Sequence, residues 1–246
     1  AWAEQHAIAA AEALWRDGVI VKAPDVGDER LAYARATELL DDVAAISTAL
    51  ATDGLPRLGA GLLADLRRRL DVFGFHLAHL DVRQHSSVHA KAVADLLYVA
   101  GVELAYEALE ERDRVALLAR ELMTPRPLQR RPGPDGSSPY APSTVEALAV
   151  FDTLRRMQSE LGSHACNTYI ISMTAGISDL LEPLLLAKEF GLFDPTDRGS
   201  GPTSSLHIVP LFETIDDLRA SARMMAELFE VHAYRQQLRA WGRRQQ

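Results

Sequence analysis

Three short runs of strand-forming residues, each followed by a polar position and a helix start, place the strongest constraint on how this chain of 246 residues folds. The runs lie at about 75–83, 167–173 and 206–211. Their aromatic and β-branched residues are typical of strands, whereas the segments between them carry the spacing of amphipathic helices. Strands separated by helices are the units of a parallel sheet or barrel. We therefore predict a mainly α chain with an α/β element.

Residues 1–57 are predicted to form a helical segment. From Asp28 to Ala51 the apolar positions recur at spacings of four, three and four, the stripe of an amphipathic helix. The residues of this stripe are Leu39, Val43, Ile46 and Leu50. A further helix from about Leu58 changes into the first strand near Gly74. Residues 58–246 are predicted to form a second domain around the strands.

The segment 124–142 is rich in proline and glycine and is predicted to be a surface loop. It holds six of the twelve prolines in the chain, which no helix or central strand tolerates at this density. A short helix is predicted before it, at about 112–122. Residues typical of helix N-caps begin the other helices. These are Ser86 or Ser87, Ser143 with Glu146, Ser178, and Thr214 with Asp217.

Composition excludes several classes of protein. The hydrophobic content of 48% and charged content of 24% are ordinary for a soluble globular protein, and the net charge of -8 argues against a nucleic-acid partner. No apolar run approaches the roughly 18 residues of a membrane span. A single cysteine, Cys166, excludes an internal disulfide and favours a cytoplasmic setting. Because the chain begins at Ala1, we expect a fragment of a longer protein.

Two charged side chains stand near the predicted carboxyl ends of strands, where α/β folds collect their chemistry. Arg83 carries a planar guanidinium that can grip phosphate or carboxylate through two parallel hydrogen bonds. The alternative is a structural ion pair with a neighbouring acid such as Asp81. Glu213 offers hard oxygens suited to magnesium or manganese, although it could equally be a solvated residue before a helix.

Four histidines in one stretch invite a metal interpretation, which the spacing does not favour. His85 and His89 have helical i, i+4 spacing, but no glutamate lies between them as in zinc-peptidase helices. His76 and His79, three apart on a predicted strand, would point to opposite faces. Cys166 near His164 resembles a nucleophile and base. We predict instead that this thiol packs in a buried strand.

The sequence around these strand ends resembles the phosphoenolpyruvate carboxylase family. The resemblance rests on LDVRQHSSVH (80–89), on YIISM (169–173) followed by Ser178 and Asp179, and on VPLFETIDDL (209–218). It extends from about Leu58 to the C-terminus, and more loosely over the helical beginning. It covers only a middle portion of that longer enzyme.

The resemblance implies a helix-rich, partial (β/α)8 barrel from an enzyme that converts phosphoenolpyruvate and bicarbonate into oxaloacetate and phosphate. It implies Mg²⁺ or Mn²⁺ as cofactor and a homo-oligomer, a homotetramer in the family. Carried onto this chain, Arg83 is an active-site residue that contacts the substrate phosphate, and Glu213 is a metal ligand. The second metal carboxylate belongs to a Gly-Tyr-Ser-Asp-Ser string absent here, so we expect the segment alone to be inactive. His85 stands where the family usually has an acidic residue.

Two alternatives to this enzyme fragment remain open from the sequence. One is a helical scaffold or interaction segment that keeps the strand motifs for packing and has no catalysis. The other is a different enzyme of phosphoenolpyruvate or pyruvate chemistry on a similar barrel. The bicarbonate requirement for phosphate release distinguishes the proposed enzyme from this second alternative.

Overall fold

A computed structural model describes residues 33, 35–130, 137–196, 199 and 201–242. The chain divides into two compact units between Asp71 and Val72. Within the described residues, no helix is long and apolar enough to cross a membrane.

The first unit is helical. Helix α1 spans Ala36–Thr52, and a helical turn at Pro56–Leu58 leads through the π-helical segment Gly59–Leu63 into helix α2, Ala64–Phe73, whose last two residues belong to the second unit. The predicted helix over 28–51 is confirmed from Ala36 onward, and most of its earlier residues lie outside the described part. The helix predicted from Leu58 is interrupted because Gly61 has non-helical φ and ψ angles of -96° and -121°.

The second unit alternates strands and helices, which confirms a helix-rich chain with a small α/β element. Its strands are β1 (Asp81–His85), β2 (Thr168–Ser172), β3 (Phe193–Asp194), β4 (Thr203–Ser204) and β5 (His207–Pro210). Its helices are α3 (Ser86–Val99), α4 (Glu111–Met123), α5 (Pro142–Leu161), α6 (Ser178–Glu189), α7 (Ile215–Glu230) and α8 (His232–Ala240), with 3₁₀ turns at Tyr106–Ala108 and Ser163–Ala165.

A three-stranded parallel sheet of order β1-β2-β5 organises this unit, as predicted. In its register Arg83 pairs with Ile170, which in turn pairs with Val209. Strands β3 and β4 form a separate antiparallel pair. The strands of the described residues do not close a barrel.

Helices cover one face of the sheet. Tyr169 and Ile171 of β2 and Ile208 of β5 are at most 1% exposed and join the main hydrophobic core. On the helical side α3 packs against α5 and α6, and α4 packs against α6 and α8. Full burial of each large apolar side chain contributes about 1.5–3 kcal/mol, so this core supplies the main driving force for the fold.

The first strand begins six residues later than the sequence pattern predicts. The prediction of a strand from about Phe75 is wrong, because β1 starts at Asp81. Gly74 and Leu77 have φ angles of +53° and +60°, a left-handed backbone that cannot continue an extended strand. Residues 75–80 are therefore a turn. The amide of Leu80 then donates to the carbonyl of Ala165 at 2.9 Å and joins this turn to the segment before β2.

The predicted N-caps of α5 and α6 are wrong. Helix α5 begins at Pro142, whose fixed φ suits a first helical position, and its N-cap Ala141 makes no side-chain cap. Helix α6 begins at Ser178, but the hydroxyl of Ser178 donates to Oε2 of Glu111 at 2.7 Å. The Ser178 amide donates to Oε1 of the same carboxylate at 2.9 Å, so a residue from α4 satisfies this helix end.

The proline-rich segment has no helix or strand at 124–130 or 137–141, and α5 begins at its end. Leu128 is nevertheless buried in the core at 1% exposure. The amides of Leu128 and Gln129 donate to Oε2 of Glu189 at 2.8 and 3.0 Å. This carboxylate thus satisfies two backbone groups that take no part in helix or sheet hydrogen bonds.

Candidate active site

Arg83 and Glu213 form an ion pair on the sheet. The guanidinium Nη2 of Arg83 donates to Oε1 of Glu213 at 2.6 Å. The Arg83 side chain is 58% exposed and the Glu213 side chain 32%, so both stay accessible to a ligand. The ion pair with Asp81, considered from sequence, is not observed. The two residues that the sequence singled out separately therefore lie together.

The register of the sheet explains this meeting. Arg83 lies on β1 and Glu213 three residues after β5, with β2 between the two strands. Because Arg83, Ile170 and Val209 are in register on neighbouring parallel strands, their side chains share one face. The long arginine side chain reaches along this face to the carboxylate.

Hydrogen bonds on both sides hold the backbone around Glu213. Before it, the amide of Leu211 donates to the carbonyl of Ile171 at 2.9 Å. After it, Thr214 and Asp217 form a capping box at the start of α7, as predicted. The Thr214 hydroxyl oxygen accepts from the Asp217 amide at 3.1 Å, and the Asp217 carboxylate accepts from the Thr214 amide at 3.3 Å. Glu213 thus lies between a sheet end and a fixed helix start.

A strained residue ends the central strand beside the pair. Met173 has φ of +56°, which is unusual for a residue with a side chain, and it is 39% exposed. The hydroxyl of Ser86 donates to the Met173 carbonyl at 2.9 Å, and the amide of Thr174 donates to the Leu211 carbonyl at 3.3 Å. These bonds, from the start of α3 and from the residue after β5, keep the turn in place. The sequence did not identify Met173 as special, because no motif signals a left-handed methionine.

His85 is the N-cap of α3, which corrects the prediction of Ser86 or Ser87. Its Nδ1 accepts a hydrogen bond from the Ser87 amide at 3.1 Å. The Ser87 hydroxyl lies 2.9 Å from the same nitrogen. An imidazole cap was not predicted, because the capping rules favour short polar side chains. The family that the sequence resembles usually has an acidic residue at this position. In this chain His85 occupies it and caps the helix.

The two helically spaced histidines, His85 and His89, make separate contacts. His89 is buried and its Nε2 lies 2.9 Å from the hydroxyl of Tyr169. Burial, with a smaller contribution from His85, lowers the pKa of His89 to about 4, so this imidazole is neutral. The expected burial of Cys166 is confirmed, because the residue is 1% exposed in the core and burial raises the pKa of its thiol, but Cys166 lies two residues before β2 and not in the strand.

The described residues fit a divalent cation only in part. Glu213 offers the hard carboxylate oxygens that Mg²⁺ and Mn²⁺ prefer. No group of three His, Cys, Asp or Glu side chains in the described ranges is arranged to hold a metal ion. Glu213 alone does not make a metal site, and further oxygen ligands would have to come from outside these residues.

The fold defines a helix-rich protein with a small parallel α/β sheet, and the Arg83–Glu213 pair lies near the carboxyl ends of its strands, where such folds usually bind their ligands. The chain belongs to the phosphoenolpyruvate carboxylase family, whose family model, described as "Phosphoenolpyruvate carboxylase", matches residues 9–246.

Curated relatives agree with this family. The chain is 43% identical over 210 residues to a phosphoenolpyruvate carboxylase of Rhodopseudomonas palustris, covering 84% of this chain and 21% of the relative. It is 43% identical over 216 residues to one of Ralstonia nicotianae, covering 87% and 21%. It is also 43% identical over 214 residues to one of Nocardia farcinica, covering 87% and 23%. The chain thus spans about a fifth of the length of these relatives.

Proposed function

We propose that this chain is part of an enzyme that carboxylates phosphoenolpyruvate with bicarbonate to give oxaloacetate and inorganic phosphate. Family membership supports the reaction. The contact of 2.6 Å between Arg83 and Glu213 carries the assignment of the site, because it brings a phosphate-binding group and a metal-binding group to one place. Both residues belong to the sequence runs on which the resemblance rests.

Arg83 is proposed to bind the substrate phosphate. Its guanidinium has five N–H donors, and one of its nitrogens, Nη2, contacts Glu213. The remaining donors have no partner in the part of the chain that the structure describes. They are free to grip two phosphate oxygens in parallel, the geometry that makes arginine a specific ligand for phosphate.

In the proposed reaction, a bicarbonate oxygen attacks phosphorus, and the bond from phosphorus to the enol oxygen breaks. The products of this step are carboxyphosphate and the enolate of pyruvate. Carboxyphosphate then releases phosphate and carbon dioxide, which the enolate takes up at C3. As the bond breaks, negative charge is redistributed between the phosphoryl oxygens and the departing enol oxygen. A fixed guanidinium at these oxygens lowers the barrier because it is already oriented when the charge moves.

Glu213 is proposed as one ligand of Mg²⁺ or Mn²⁺ in the complete enzyme. The cation, when bound, would supply positive charge beside the negative oxygens of the substrate. Its other protein ligands would come from residues outside the described part, which agrees with the incomplete set of donors here. Glu213 also orients Arg83. The carboxylate would therefore position both the cation and the guanidinium.

We further propose that the parallel sheet is part of a (β/α)8 barrel, with the face that carries Arg83 turned to the interior. Parallel sheets are normally covered on both faces. Here Ile170 and Val209, in register with Arg83, are only half-buried, whereas Tyr169, Ile171 and Ile208 on the opposite face are at most 1% exposed. The family resemblance adds a cytoplasmic homo-oligomer, a tetramer in the family, to this proposal.

The isolated chain is proposed to be inactive, because it supplies a single carboxylate toward the cation and about a fifth of the relatives' length. In isolation it would act at most as a helical scaffold. If the chain is instead a scaffold without catalysis, the longer protein that contains it would not carboxylate phosphoenolpyruvate. If the chain is part of the proposed enzyme, the longer protein would do so.

The test is steady-state kinetics of the full-length enzyme with Arg83→Ala or Glu213→Gln. Each change is expected to lower kcat/KM for phosphoenolpyruvate by about 10²–10³-fold, the loss typical for one group that stabilises transition-state charge. Arg219→Ala is the matched control, because Arg219 is 76% exposed and pairs with Asp216 on α7. Near-normal rates in either site variant would overturn the assignment of that residue. Phosphate release without bicarbonate would overturn the reaction.

A further inference from the structure

Three imidazoles lie at the amino end of the sheet, opposite the edge that carries Arg83 and Glu213. His76 and His79 belong to the turn before β1, and His164 to the 3₁₀ turn that precedes β2. The hydrogen bond from the Leu80 amide to the Ala165 carbonyl joins the two segments. None of these histidines has a part in the proposed carboxylation.

The rings of His76 and His79 face each other through their Nε2 atoms. The two nitrogens lie 3.2 Å apart, with ring centroids 4.6 Å apart and ring planes at 86°. Adjacent nitrogen ligands of a tetrahedral zinc ion are separated by about 3.3 Å, given metal–nitrogen bonds of about 2.05 Å. The pair therefore already has the separation that chelation requires. This pair was not predicted, because the sequence pattern placed both residues on a strand.

Gly74 fixes the direction of the His76 ring. Its φ of +53° starts the turn, and a Cβ at this position would lie 2.7 Å from Cε1 and 2.8 Å from Nδ1 of His76. The same Cβ would lie 3.8 Å from Nε2. The edge with Cε1 and Nδ1 thus rests on the glycine backbone, and Nε2 is left to face His79.

His164 supplies a third imidazole close to the pair. The ring of His164 is exposed and its centroid lies 6.0 Å from that of His79. A side-chain rotation is enough to bring a third nitrogen toward the pair. As the structure stands, no three such groups in the described ranges form a finished site.

We propose that His76 and His79 bind a late transition-metal cation, Zn²⁺, Ni²⁺ or Cu²⁺, through their Nε2 atoms, with His164 turning in as third ligand. Imidazole is a preferred ligand of these cations, whereas Mg²⁺ and Mn²⁺ prefer oxygen. The bound cation replaces the hydrogen bond between the two rings, and each ring then keeps its proton on Nδ1. The cation would clamp the turn before β1 to the turn before β2.

The test is a titration of the chain with Zn²⁺ against a chromophoric chelator. His79→Ala is expected to raise the zinc Kd by at least about tenfold, since loss of even an outer-shell group weakens metal binding on this scale. His79 is exposed, so this substitution leaves the core intact. His232→Ala is the matched control, because His232 is an exposed histidine on α8, and it is expected to leave the Kd unchanged.

A second measurement does not depend on affinity alone. The electron paramagnetic resonance spectrum of the Cu²⁺-bound chain is expected to show coupling to three imidazole nitrogens, and to two after His164→Ala. Equal zinc Kd values for the chain and its His79→Ala variant, or a copper spectrum unchanged by both His79→Ala and His164→Ala, would overturn the proposal. Because neither measurement uses the carboxylation reaction, failure here is distinct from failure of the proposed function.

Discussion

The guanidinium of Arg83 on β1 contacts the carboxylate of Glu213 after β5 at 2.6 Å, across the central strand of the sheet. The pair neutralises two charges while it leaves both side chains partly open to solvent. It also leaves part of the guanidinium fork for an anionic ligand. The strand order thus determines which residues share this site.

This relationship predicts that charge alone at position 83 is insufficient. Arg83→Lys in the full-length enzyme keeps the positive charge but loses the planar fork. A charged hydrogen bond contributes about 1.5–3 kcal/mol, so we expect kcat/KM for phosphoenolpyruvate to fall by about 10–100-fold. Steady-state kinetics measures the change. A lysine variant with wild-type kcat/KM would show that the fork has no role.

The His85 cap predicts an effect on stability. His85→Ala removes the acceptor of the Ser87 amide and is expected to lower the free energy of unfolding of the chain by about 1 kcal/mol. His85→Asp is expected to keep or raise stability, because aspartate is a preferred N-cap and its charge suits a helix N-terminus. Urea denaturation measures both variants. Equal stabilities for the alanine and aspartate variants would contradict the role of His85 as cap.

The capping box of Thr214 predicts a second, separate loss. Thr214→Ala leaves the Asp217 amide without its side-chain acceptor and is expected to lower the free energy of unfolding by about 1 kcal/mol. Ser221→Ala within α7 is the control, because its hydroxyl bonds only to the Leu218 carbonyl and caps no helix end. Thermal unfolding of the two variants gives the comparison. If Ser221→Ala loses as much stability as Thr214→Ala, the capping box makes no specific contribution to the free energy of unfolding.

A buried carboxyl group predicts that stability depends on pH. Glu182 on α6 is fully buried, and the hydroxyl of Tyr106 donates to its Oε1 at 2.8 Å. Its Oε2 has no partner among the described residues. Burial raises the pKa of Glu182 from 4.5 to about 8, so the folded chain keeps a proton that the unfolded chain releases. Its contribution to stability is complete below pH 4.5 and is lost as the pH rises to about 8.

Glu182→Gln is expected to remove this loss, since glutamine keeps the size and hydrogen-bonding group without a charge. The comparison is clearest between pH 6.5 and 8, because His89, with a folded pKa of about 4, gives the opposite slope below 6.5. Denaturation at several pH values should show the wild-type free energy of unfolding falling more steeply than that of the variant. Glu107→Gln, at an exposed position, is the control. Parallel curves for wild type and Glu182→Gln would contradict the assignment.

The parallel sheet and the family could be predicted from the sequence, because both depend on short stretches of neighbouring residues. The three β-type runs and the PLFET string are short stretches of consecutive residues, and the two charged residues were found because they stand near strand ends. That Arg83 contacts Glu213 rather than Asp81 depends on the strand order, which no local pattern contains.

The remaining features were not predicted, because their partners are distant in sequence or their residue types are unusual for the role. Glu111 satisfies the start of α6 from another helix, and His85 caps α3 with an imidazole. Because Leu77 has a left-handed backbone, the first strand is shorter than predicted. His76 and His79 were therefore predicted on a strand, whereas they lie in a turn.

A double-mutant cycle tests the central claim, that Arg83 and Glu213 act as one site. The full-length enzyme with Arg83→Ala, Glu213→Gln and both changes is compared by kcat/KM for phosphoenolpyruvate at saturating bicarbonate and Mg²⁺. Residues in direct contact are coupled, so we predict that the double variant loses far less than the product of the two single losses. Losses that multiply, or a single variant with wild-type kcat/KM, would contradict a shared site.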